Sequence, residues 1–117
     1  MISYLILRNE KLILMLAEAK IQTGDLVGGA AALDTIRVKN GLALLATAKP
    51  TVAGNKDKLI YELLNQRRYS LFMEGANRWF DMRRYGKLAS LPKDLATHNV
   101  FTNFPKPKAE VDWDKNK

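Results

Sequence analysis

Residues 74–86 read Glu74-Gly75-Ala76-Asn77-Arg78-Trp79-Phe80-Asp81-Met82-Arg83-Arg84-Tyr85-Gly86, the densest set of chemically capable side chains in the sequence. Two carboxylates, Glu74 and Asp81, stand among three arginines and several aromatic rings. Glycoside hydrolysis needs two carboxyl groups facing a cleft, one as acid and one as base or nucleophile. Arginines beside both acids favour a different use, holding the carboxylates ionised and engaged. On a helix, Arg78 and Asp81 lie three apart and Trp79 and Arg83 four apart, so each pair shares a face. Arg83 can then lay its guanidinium over the Trp79 ring. The cluster reads as a charge knot joining two helices, made of Glu74, Arg78, Asp81, Arg83 and Arg84 with Arg67 and Arg68 from the preceding helix. The competing reading is a ligand-facing surface of rings and arginines. Tyr85 is its first candidate contact, and Trp113, between Asp112 and Asp114, is the second.

Other chemistries find less support. His98 is the only histidine, and it sits between Thr97 and Asn99 in an irregular stretch. Ser3, Ser70 or Ser90 could complete a triad with it on paper, but none lies in a strand–turn–helix nucleophile context. The chain has no cysteine, which excludes disulfides, thiolate zinc sites and cysteine nucleophiles. No metal-ligand spacing and no glycine-rich phosphate loop is present. The expectation is a non-catalytic protein that uses neither cofactor nor metal.

With 117 residues, 47% of them hydrophobic, the chain can bury a modest core as a single unit. Its formal charge of +7 raises the alternative of a basic helical module that binds nucleic acid. Arg83 and Arg84 beside Tyr85, with lysines 106, 108, 115 and 117, would carry that function, and phosphate binding would weaken steeply with salt. The positive residues are spread along the chain, however, so nucleic acid is not the expected partner. The apolar stretches Tyr4 to Leu7 and Leu12 to Ala17 are split by four polar residues. They fall short of the roughly 20 apolar residues that span a bilayer, and no signal-peptide pattern precedes them.

The elements that position these residues are helices. Leu5, Leu12, Met15, Leu16 and Ala19 predict a first helix over about 4–23, apolar nearly all round in its second half and so expected between other helices. Gly24 ends it, and Asp25 caps a second helix to about Asn40, which Gly41 closes. The Gly28-Gly29 pair either weakens the first turns of this helix or admits another backbone at close range. Residues 42–56, with Pro50 and Gly54, read as a loop. A third helix runs from about 56 or 57 to 73, with Leu59, Ile60, Leu63, Leu64, Leu71 and Phe72 as its stripe, and a fourth carries the knot to Gly86. Residues 91–117 read as an irregular tail in which Pro105 and Pro107 oppose helix. No strand pattern is evident. The fold class is therefore all-α: residues 1–41 form a helical hairpin, 42–56 a loop, 57–90 a helix pair and 91–117 the tail. The hairpin, with Ala17-Glu18-Ala19 before the link and Ala30-Ala31-Ala32-Leu33 after it, is similar to a tetratricopeptide repeat. One hairpin cannot bury both its apolar faces, so stacked neighbours are expected. A free-standing peptide adaptor of this repeat type is a further alternative.

The pattern E-G-x-x-R-W-F-D-x-R-R-Y-G resembles the C-terminal signature of the SusD/RagB family, surface lipoproteins that capture nutrients for outer-membrane import. The resemblance extends to Ala17-Glu18-Ala19, Gly24-Asp25, Leu33-Asp34-Thr35-Ile36-Arg37 and Asn40-Gly41-Leu42. It continues through Ile60, Arg67, Arg68 and Leu71 to Phe104-Pro105-Lys106-Pro107 with Glu110. Gln66 and Ser70 stand where the family commonly has carboxylates. The resemblance implies the C-terminal part of a larger protein with a tetratricopeptide-like scaffold. It also implies non-catalytic binding of an oligosaccharide, or of a peptide in some members, and a TonB-dependent transporter as partner. Localisation would be the outer membrane at the cell surface, through an N-terminal lipid anchor that this sequence does not contain. Family ligand sites are built largely from loops outside this segment, so the chain is expected to supply mostly scaffold.

Overall fold

The structure, a computed structural model, describes residues 8–75 and 77–115. The expected start of the first helix, including Ser3 and Tyr4 to Leu7, lies outside the described residues. Among the described residues seven α-helices follow one another: α1 (Asn9–Gln22), α2 (Leu26–Lys39), α3 (Leu45–Ala48), α4 (Pro50–Ala53), α5 (Lys56–Ser70), α6 (Asn77–Arg84) and α7 (Lys108–Lys115), with a 3-10 turn at Leu88–Ser90. Among the described residues there is no strand, and the fold is all-α. The chain divides into two compact units, residues 1–78 and 79–117.

In the first unit, α1 and α2 form the hairpin, and α5 packs on both. Leu14, Ala17 and Ile21 recur at three and four along α1, and Ala30, Leu33 and Ile36 recur every three residues along α2. Leu59, Ile60, Leu63 and Leu64 of α5 meet them, and Leu45 of α3 joins this core. The link is tight because Thr23 still caps α1 through its backbone N–H, while Gly24 takes φ 94°, a conformation that favours glycine. Asp25 begins α2 by accepting a hydrogen bond from the Gly28 amide at 2.8 Å. The two glycines after it have separate reasons. A Cβ on Gly28 would meet the Asp25 carboxylate, and one on Gly29 would lie 2.5 Å from Ile21 Cγ1 and 3.4 Å from the Ala17 carbonyl. Gly29 is thus where α2 closes on α1, the second of the two uses expected for the pair.

Three features differ from the sequence reading. The second half of α1 is buried on one side only, since Leu12, Met15 and Leu16 are about half exposed. The segment expected as a loop holds the single turns α3 and α4, and Pro50 opens α4. Proline suits a first helical turn because its missing N–H would have no partner there. The tail is not irregular throughout. The Pro107 carbonyl accepts from the amides of Glu110 and Val111 at 3.0 and 3.1 Å, so proline stands at the start of α7 and does not prevent it.

The second unit is organised around one ring. Trp79 lies 5.2 Å from Phe80, edge to face, and 5.0 Å from Phe104 at a tilt of 31°. Its indole N–H donates to the Phe101 carbonyl at 3.0 Å. These contacts tie α6 to residues 101–104. Lys106, just before α7, pairs with Asp114 near the end of that helix.

Candidate functional site

The residues of the expected charge knot fall in both units, and each can be followed within its own. In the first unit, the Arg67 guanidinium reaches Glu18 of α1 at 2.5 Å, with both side chains largely buried. Glu74 receives Arg8 at 2.5 Å. Arg68 is exposed and has no ion pair among the described residues. Arg78 is half-buried, and its Nη1 atom has no hydrogen-bond partner among the described residues. In the second unit, Asp81 accepts from Arg84 at 3.1 Å, and the Arg84 guanidinium lies 5.2 Å from the Tyr85 ring centre. Arg83 sits 5.4 Å from the Trp79 ring centre, the stacking its spacing implied, and donates to Asn103 at 2.8 Å. Tyr85 is half-buried and Trp113 is exposed on α7.

A second polar centre, which the sequence reading did not single out, lies inside the first unit. The Glu62 carboxylate, 3% exposed, is held on one oxygen by Arg37 at 2.5 Å and by the Gln66 amide at 3.0 Å. Lys49 reaches its other oxygen at 2.6 Å. Arg37, itself buried, also donates through Nε to the Ala43 carbonyl at 3.0 Å. Asp34, on the same helix, accepts from the Leu45 amide at 2.8 Å. The network joins α2, α5 and the α3–α4 segment, and it caps α3 from the side. Burial pushes the Glu62 carboxyl up. Hydrogen bonds from Lys49 and Gln66, with the charges of Lys49 and Arg37, outweigh burial and hold it below the usual carboxylate range. The signal was present in the sequence. Leu59, Glu62, Leu63 and Gln66 share the face of α5 that carries its core residues, and a carboxylate there requires a cation opposite.

Glu10 is likewise engaged. Hydrogen bonding from Lys39 comes first among the causes that lower its carboxyl to about 2, with the charges of Lys39 and Arg8 adding to it. Glu10, Glu18, Glu62, Glu74 and Asp81 each have a cationic partner, so none is a carboxylate held in reserve for acid–base chemistry. Glu74 has Arg8 as its partner and Asp81 has Arg84. His98 is exposed beside a turn closed by its own amide on Leu95. No group of three or more metal-ligating side chains occurs among the described residues.

A helical hairpin before the Glu74–Gly86 element is what the resemblance implied. The SusD family model matches residues 2–117. The chain belongs to the SusD family. No curated protein and no solved structure matches it. Proteins of this family are generally non-catalytic binders associated with the outer membrane, with oligosaccharides as their general ligands. For this SusD-family chain, no helix among the described residues is long and apolar enough to cross a membrane.

Proposed function

We propose that the chain acts in nutrient capture, as a non-catalytic glycan-binding component of an outer-membrane uptake system working with a TonB-dependent transporter. The family match over residues 2–117 carries this reading. The paired state of the buried and half-buried carboxylates supports it, because side chains committed to structure are poor candidates for turnover. In this reading the chain is the C-terminal part of the binding protein and supplies mostly scaffold. Attachment runs through a lipid at the protein's N-terminus and places it at the cell surface.

The basic-module alternative has three of its cations engaged with partners inside the protein. Arg83 is engaged with Asn103 and Trp79, Arg84 with Asp81, and Lys106 with Asp114. Fractionation of cell envelopes tests the two readings against each other. The protein is expected in the outer-membrane fraction and released by detergent. Recovery in the soluble fraction with bound nucleic acid would contradict the proposal.

A further inference from the structure

An open cleft of about 510 Å³ lies on the first unit, lined by residues at the start of α1, beyond the end of α2 and at the end of α5. Its volume is in the range of small-ligand sites. Tyr69 and Phe72 line it three residues apart, 71% and 75% exposed. Between them in sequence, Ser70 also lines the cleft, and its buried Oγ has no hydrogen-bond partner among the described residues. Asn40, exposed beyond the end of α2, also lines the cleft. The charged groups of the lining are already used. Arg8 is neutralised by Glu74 and Glu10, and Glu10 by Lys39 as well.

We infer that this cleft is a subsite for a neutral sugar ring, stacked on Tyr69 and Phe72 and hydrogen-bonded by Asn40 and Ser70. The assignment rests on the glycan-capture reading and gives it a location in this segment. Aromatic faces match the C–H surface of a pyranose, and neutral hydroxyl and amide groups match its alcohols. A phosphate or uronate would need a free cation, and the only arginine of the cleft already faces two carboxylates. The Ser70 hydroxyl can rotate among its staggered positions to meet a bound alcohol. Such a contact would satisfy an oxygen that is otherwise buried and unpaired.

The test is calorimetric titration of the full chain with neutral gluco-, xylo- and manno-oligosaccharides and with oligogalacturonate, repeated on the double variant Y69A/F72A. The subsite predicts binding of a neutral member and affinity about tenfold or more weaker in the double variant. The variant Y61A, at an exposed ring that does not line the cleft, should bind as the parent does. Both replaced rings are exposed, so the melting temperature of the double variant should match the parent. Binding unchanged in Y69A/F72A overturns the subsite and leaves glycan capture standing at another surface. Binding of oligogalacturonate alone, or of no oligosaccharide, also overturns it. The uptake reading is judged separately by envelope fractionation.

Discussion

Glu62 shows how one residue can set the character of a whole site. Its carboxylate is buried between two cations and an amide, so removing its charge leaves the buried Arg37 with only the Asp34 carboxylate, at 3.8 Å. Breaking a buried pair from one side costs about 3–5 kcal/mol. Glu62→Gln is therefore expected to lower unfolding free energy by about 3 kcal/mol in urea titrations, whereas Lys49→Ala, at a half-exposed partner, should cost no more than about 1 kcal/mol. Equal stability of E62Q and the parent would remove the network from the account. The same residue sets a pH dependence. The folded-state carboxyls of Glu62 and Glu10 titrate below their unfolded values, Glu10 at about 2. A depressed pKa stabilises the fold above the unfolded value of about 4.3 and is lost as pH falls through the folded one. Urea midpoints should thus drop progressively below about pH 4.5. In E62Q the drop should be shallower, and an identical slope would show that Glu62 does not contribute. None of this was read from the sequence, because a glutamate in an apolar stripe announces a partner without naming it. Arg37 and Lys49 are supplied by elements brought alongside only when α2 and the α3–α4 segment close on α5.

At the scale of the elements, the hairpin was legible because its signals are local. Periodicity placed the core faces, Gly24 the turn and Asp25 the cap, and the observed helices begin and end within a few residues of those marks wherever they are described. The α3–α4 turns and α7 were missed for a shared reason: proline was read as a breaker, although at a first turn it costs no hydrogen bond. Gly29 measures how tightly the hairpin is packed. Alanine there would gain about 1 kcal/mol of helix propensity. It would also force a Cβ to 2.5 Å from Ile21, and overpacking of that kind costs about 1–3 kcal/mol. Gly29→Ala should therefore be less stable by about 1 kcal/mol in thermal melts. A rise in melting temperature would show that the helices have room to separate. In the second unit, Trp79→Ala removes the ring that holds both Phe80 and Phe104, together with its bond to Phe101. Amide exchange at residues 101–104 should then accelerate while the α1–α2 hairpin keeps its protection, and uniform acceleration would contradict a separate role for this ring.

For the whole molecule, family membership was legible from a charged and aromatic string, and the structure shows what much of that string does. Arg67, Glu74, Asp81, Arg83 and Arg84 have partners within the protein. The inferred sugar contact lies elsewhere, on Tyr69, Phe72, Asn40 and Ser70. Spacing alone could not mark these four, because they converge only after α5 has packed on the hairpin. Of the first set Arg67 and Asp81 are buried while Arg83 and Arg84 are exposed, and Tyr69 and Phe72 of the second are exposed. The central claim is capture without conversion. It is tested most directly by affinity purification of the protein from detergent-solubilised outer membranes supplied with fluorescently labelled oligosaccharide. The account predicts that the labelled sugar elutes uncleaved together with a TonB-dependent transporter. Elution of shortened sugar, or of the protein with neither transporter nor sugar, would contradict it.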